Sequence, residues 1–379
     1  MIQQSSGKAL KKSVNSLTKT SKQSDLIIFS KSEYARNELP RTHQFATKFA
    51  RYRRVYYIEP AVFSEGCQAH FRLREEVGSP KILKAHLPLE LSRQSHDAVM
   101  HKLVSQLIEE EWMSGFTVWM DHPDVWPIVR KLRSALTIWD CENIEVRNEN
   151  LLQEVDIILT RNQTSADCLR QCCNVHVIED GVETDAFLAQ KEIPFEIRSF
   201  SGPRILYHGP TDQRLNFELL ERVASIRNQW NFFVLGTGRS DLQNLHFLGP
   251  KSSFELPAYA QGMQAAILPL ATTALPECGR ESLECVAARL PIVASKTATL
   301  KEQFAGLGAI RWADCYPEFV LQLDLAVENG LSEKEKNSVG DFLGGRDWEV
   351  LWRRFAQLEL NTESRSHNKT NGVEKFKSQ

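Results

Sequence analysis

The residues best placed by type and spacing to do chemistry lie in CGRESLECVAARLPIVAS, residues 278 to 295. Gly279 and Arg280 open a helical pattern, Glu281 and Glu284 follow three residues apart, and a short apolar run, Pro291 to Ser295, comes next. Carboxylates near a helix start are favoured by the helix dipole, and capping alone could account for Glu281. It accounts less well for Glu284, because Val286, Ala287 and Ala288 mark a closely packed helix. A carboxylate there can accept the hydrogens of two ribose hydroxyls, as acidic residues do in dinucleotide sites.

Three other segments of the second half carry related chemistry. In YHGPTDQR, Tyr207 to Arg214, Gly209 permits close backbone approach, and Arg214 stands near the start of the next helix. Free helix-start amides with a guanidinium suit a phosphate; a plain strand-to-helix turn with a surface arginine is the alternative. LGTGR, Leu235 to Arg239, with Gly236, could cradle an anion or a sugar, although a lone GxG has little specificity. LPLATTALPECGRE, Leu268 to Glu281, is long, small and polar after an apolar run, as a ligand-lining loop should be, and contains Glu277.

The elements that must position these residues read as alternating strands and helices. In the first half the apolar runs are Leu26 to Phe29, Val55 to Ile58, Phe116 to Met120, LTIWD ending at Asp140, Asp156 to Thr160 and Val175 to Ile178, with Lys81 onward as a looser strand. Helical patterns cover His43 to Tyr52 and His96 to Trp112. In the second half strands are expected at 204–208, 231–236, 245–249, 265–270, 291–295 and 309–312. Helices are expected at 216–226, 256–262, 316–326 and 348–358. This is the pattern of parallel α/β sheets. It divides the chain into a basic disordered tail (1–23), a first sheet domain (24–182), a linker (183–202), a second sheet domain (203–340), a terminal helical segment (341–360) and a polar disordered end (361–379).

A chain of 379 residues can build two full cores. Its formal charge of -2 argues against a dominant polyanion-binding role, so no nucleic-acid partner is expected. Eight cysteines occur without CxxC spacing, which fits free thiols in a reducing compartment. With no leader-like or membrane-spanning apolar stretch, the expected location is the cytoplasm. The five lysines of the tail leave peripheral contact with an anionic inner membrane face open.

On these segments the chain resembles retaining GT-B glycosyltransferases of family 4, and among them bacterial polysaccharide and teichuronic acid transferases. The likeness rests on VHVIEDGVETDAF (175–187), RILYHGPTDQRLNFELL (from Arg204), NLHFLGPKSSFELPAYAQGMQAAILPL (from Asn244), CGRESLECVAARLPIVAS and DFLGGRDWEVLWRRF (341–355). It implies two facing Rossmann-like domains with parallel sheets. The second domain would hold a nucleotide-diphosphate sugar, with Glu284 on the ribose, Arg214 on the pyrophosphate, and Glu277 to Glu281 beside the sugar and phosphates. The terminal helix would return toward the first domain. Two departures stand out: Glu277 and Glu284 have six residues between them where many members have seven, and Arg289 replaces a usual glycine before Pro291.

The resemblance puts the acceptor, a glycan or lipid-linked saccharide, on the first domain. Arg41 and His43, in SKSEYARNELPRTHQFATKFA, would face it or a phosphate; His43 as a cap or solvent-facing residue is the alternative. In MDHPDVW, Asp121 or His122 would orient the acceptor hydroxyl. Asp140 and Glu142 could form a metal site, but the DxD metal signature of the other major transferase fold is missing, so no metal and no cofactor beyond the donor are expected. The implied reaction keeps the anomeric configuration, and Arg214, helix-start amides and Arg280 would stabilise the departing diphosphate. A sugar-nucleotide epimerase of the same fold and a catalytically inactive glycan-binding or scaffold subunit are the rival readings.

Overall fold

A computed structural model of the chain describes residues 24–34, 40–142, 149–169, 171–172, 174–271 and 280–376. The basic tail, Glu277 and Gly279 lie outside the described residues. The chain separates into two compact units. One contains Leu39–Glu179 together with the preceding strand and the residues from Trp352 onward; the other contains Asp180–Leu351.

The first unit is built on eight strands: β1 (Leu26–Phe29), β2 (Val55–Ser64), β3 (His70–Arg74), β4 (Lys81–Pro88), β5 (Thr117–Met120), β6 (Leu136–Asp140), β7 (Ile157–Thr160) and β8 (Val175–Val177). They lie in the order β3-β4-β2-β1-β5-β6-β7-β8. Every pairing is parallel except that of β3 with β4. The central strands β1, β5, β6 and β7 are buried at every residue, which is why they read as unbroken apolar runs. Strand β3, HFRLR, was not among the expected runs; it is an edge strand and mostly exposed, so it lacks that apolar signature. β2 extends past Pro60 because the register shifts between Glu59 and Val62, the kind of irregularity at which a strand tolerates proline.

The terminal helix, expected over 348–358 with disorder from Asn361, instead spans Trp348–Phe376. No proline or glycine interrupts it before Gly372. Phe355 packs on Phe45, Phe49 and Trp119 at ring-centroid distances of 5.8, 5.3 and 5.0 Å. Arg53 grips Glu359 with two hydrogen bonds of 2.8 and 3.1 Å, both side chains being buried.

The second unit holds β9 (Arg204–His208), β10 (Asn231–Leu235), β11 (Leu245–Phe247), β12 (Ala265–Leu268), β13 (Ile292–Ser295) and β14 (Ile310–Ala313). The order is β11-β10-β9-β12-β13-β14, parallel throughout. The stretch expected as a linker contains short helices at Thr184–Leu188 and Phe195–Arg198, and Ile197 is part of the unit's core. A helix at Glu333–Gly344, opened by a capping box of Ser332 and Glu335, was not expected from the sequence. In each sheet the strand order reverses once, between β1 and β5 and between β9 and β12, and a doubly wound sheet binds ligands at such a reversal, beyond the carboxyl ends of its strands.

Candidate functional site

At the reversal in the second unit, the last residue of β9 meets the helix that follows β12. That helix, Arg280–Ala287, buries every residue from Ser282 to Ala287, so Glu284 is carried inward with Leu283 and Val286. His208 Nε2 lies 2.8 Å from Glu284 Oε2, and Arg280 Nε lies 3.1 Å from Glu284 Oε1 one turn earlier on the same helix. Burial alone would raise the Glu284 carboxyl. The His208 hydrogen bond, the Arg280 charge and the Ser253 hydroxyl outweigh it and hold the group below the ordinary carboxylate range. The result is a buried carboxylate kept ionised. His208 Nδ1 is buried with no hydrogen-bond partner, so Nε2 is assigned as the protonated nitrogen that donates to Glu284.

The two glycines have separate reasons. Gly209 has φ +154°, and a Cβ on it would approach the Tyr207 hydroxyl at 3.3 Å. A Cβ on Gly236 would stand 2.4 Å from the Thr211 methyl, so its absence lets the loop after β10 lie against the loop after β9. Arg214 is oriented by Asp212, which accepts from its backbone amide at 2.9 Å and from its guanidinium at 2.8 and 3.0 Å. Those bonds draw the Asp212 carboxyl down to about 2. Glu281 is half-buried in the first turn of the helix. The Leu215–Leu270 bridge joins the exits of β9 and β12. The sequence reading took YHG for its glycine and passed over His208; an imidazole immediately before a strand-exit glycine was the available signal.

At the reversal in the first unit, Asp121 follows β5 and Ser30 follows β1. Asp121 Oδ2 accepts from Ser30 Oγ at 2.6 Å and Thr42 Oγ1 at 3.1 Å. Its Oδ1 accepts from the Lys31 amide at 2.9 Å and lies 2.9 Å from His122 Nδ1. Burial opposes ionisation here too, but the bonds from His122, Ser30 and the Lys31 amide lower the carboxyl below its usual range. His122, Ser30, Glu59 and Asp97 are among the residues lining a cavity of about 160 Å³ that is otherwise mainly apolar, with Phe29, Ile58 and Met100.

Two expectations for this unit are corrected. His43 is neither a cap nor solvent-facing. It is 1% exposed and packs between the rings of Tyr34 and Tyr57, 4.8 and 5.1 Å away. Arg41 is held inside by Asp140, with Nε 3.0 Å from both carboxylate oxygens, and also donates to the Glu179 carbonyl at 2.8 Å. The Arg41–Phe49 helix is buried at all but one residue, so its polar sequence RTHQFATKF does not mark a surface. Asp140 is thereby committed to Arg41, and Glu142 pairs with Lys31 and Arg161. Among the described residues, no group of three His, Cys, Asp or Glu side chains could hold a metal ion.

No family model matches the chain. Solved structures of the same architecture include a sucrose-phosphate synthase from Thermosynechococcus elongatus, with a TM-score of 0.62 at 13% identity, covering 90% of this chain and 100% of that one. Another is Alr3699/HepE of Anabaena in complex with UDP-glucose, at 0.63 and 12%, covering 89% and 100%. A glycosyltransferase from Rickettsia africae gives 0.67 at 10%, covering 90% and 99%. The fold is GT-B. A curated relative in Bacillus subtilis (strain 168), provisionally named teichuronic acid biosynthesis glycosyltransferase TuaH, is 22% identical over 229 residues, 56% of this chain. The chain spans about half the length of that relative, 55%. No helix among the described residues is long and apolar enough to cross a membrane.

Proposed function

We propose that this GT-B protein is a glycosyltransferase that moves a sugar from a nucleotide-diphosphate sugar to a glycan or lipid-linked saccharide in surface polysaccharide biosynthesis, with retention of anomeric configuration and without a metal. One observation carries the donor half of this reading: the buried, ionised Glu284 at the sheet reversal of the second unit, held between His208 and Arg280. A fixed anionic acceptor at that place suits the hydroxyls of a ribose. Arg280 and the positive end of its helix supply positive potential for the departing diphosphate, and Arg214 adds a guanidinium at the exit of β9. The TuaH likeness and the UDP-glucose bound to a protein of the same fold support the class of donor and product.

The acceptor half rests on Asp121. His122, oriented through Nδ1 by the ionised Asp121, can accept the proton of an acceptor hydroxyl at Nε2 as the new glycosidic bond forms. Acceptor attack on the leaving-group side needs no strong protein nucleophile. The reading also includes a cytoplasmic location, with the acceptor presented at the inner membrane face.

A thermal-shift screen of nucleoside diphosphates and their sugars tests this. Selective stabilisation by one nucleotide series is expected, by about 2 to 3 kcal/mol at a hundredfold excess over Kd, and it is lost in Glu284→Ala. Uniform absence of stabilisation would contradict the reading.

A further inference from the structure

Glu284 is borne by a helix, but a ribose must be met at a fixed point relative to the sheet. The two basic groups beside the carboxylate differ in what they fix. Arg280 is on the same helix, four residues earlier, and its side chain is 29% exposed. His208 is the terminal residue of β9, on a separate element, and is buried. Its 2.8 Å bond is a tie between the helix-borne carboxylate and the sheet. A carboxylate has about four acceptor sites. The rotamer set by His208 decides where the remaining sites of the Glu284 carboxylate point.

His208 has no role in the sheet that requires an imidazole: its backbone continues β9, and its Nδ1 is buried with no hydrogen-bond partner. An unpartnered buried nitrogen is a cost that an apolar residue would not carry. The ring's one bond is to Glu284. The groups around the pair are Arg280, Glu281, Ser253, the Tyr207 phenol and the Cys285 thiol. Burial, the first cause in each case, and then the nearby acids raise the phenol and the thiol above their ordinary values, so both stay neutral.

We infer that His208 is a positioning residue for the donor's ribose: through Nε2 it locks Glu284 in the orientation that receives a ribose hydroxyl, and so sets discrimination between ribonucleotides and 2′-deoxyribonucleotides. This rests on the assignment of Glu284 to the ribose, and the experiment separates the two. UDP, GDP and ADP, each paired with its 2′-deoxy counterpart, are titrated calorimetrically into the full chain as wild type, His208→Ala and His208→Gln. In wild type the ribonucleotide that binds is preferred over its deoxy form by about tenfold or more, the worth of a hydrogen bond to a charged group. His208→Ala reduces that ratio to about twofold, and His208→Gln, whose amide nitrogen can stand where Nε2 does, restores most of it.

A purely structural role would lower the melting temperature of His208→Ala and leave the ratio unchanged; that result overturns the inference while the Glu284 assignment stands. Equal binding of ribo and deoxy forms by wild type, or binding of none of the six, overturns both. If His208→Ala loses its cooperative melting transition, His208→Leu fills the same space without a donor and carries the same comparison.

Discussion

Glu284 and Asp121 occupy equivalent places in two different sheets. Each stands at the point where strand order reverses, each is largely withdrawn from water, and each is kept charged against the cost of burial. The donors differ. Glu284 is held by an imidazole and a guanidinium; Asp121 is held by two hydroxyls, a backbone amide and the imidazole of its own neighbour. A guanidinium beside an acid also attracts a phosphate, so the Glu284 cluster suits an anionic nucleotide. The Asp121 cluster brings no guanidinium and adjoins a cavity lined mainly by apolar residues, which suits a neutral compound. The comparison teaches that fold position chooses the site and donor chemistry chooses the ligand.

The sharpest way to break the comparison is to neutralise each acid in turn. Asp121→Asn is expected to lower turnover by about a hundredfold or more, the scale of a disabled general base, while nucleotide affinity measured by calorimetry changes less than about twofold. Glu284→Gln is expected to do the reverse first, weakening nucleotide binding by about tenfold. If both variants lose nucleotide affinity equally, the division of labour between the units is wrong.

Acid unfolding offers a subtler comparison. Both carboxyls bind protons less readily in the folded protein than in the unfolded chain. Their stabilisation is therefore complete above the unfolded-state values near 4 and is lost as pH falls through the depressed folded values. Melting temperature should be insensitive to these groups at pH 6 to 7 and fall steeply below about pH 4. Glu284→Gln and Asp121→Asn should each flatten that acid limb; an unchanged slope in both would show that neither group is held ionised by the fold.

The smallest effect concerns Arg289. It adopts φ 55° just beyond the Glu284 helix, a left-handed conformation that suits glycine. Arg289→Gly should stabilise the protein by about 0.5 to 1 kcal/mol in urea unfolding.

Much of this was legible in the sequence where burial and chemistry coincide in one segment. Glu284 stood out because its neighbours were apolar, and Asp121 because it ended an apolar run. The covered central strands announced themselves in the same way, whereas the exposed edge strand β3 did not. The failures came where distant residues decide the environment. His43 and Arg41 sit in a polar-looking helix that is buried partly by Phe355, more than 300 residues away in sequence. His208 looked like the plain end of a strand, because its partner is 76 positions downstream. The Glu333–Gly344 helix carries a full capping box, Ser332 with Glu335, a local signal that was present and not used.

The central claim is that Glu284 receives the nucleotide's ribose, and a crystal structure with the nucleoside diphosphate that gives the largest thermal shift tests it most directly. The account predicts a ribose hydroxyl within about 3 Å of a Glu284 oxygen, with the His208 bond intact and the phosphates toward Arg280. A nucleotide bound elsewhere, with Glu284 still enclosed by His208 and Arg280 and touching no part of it, would contradict the account.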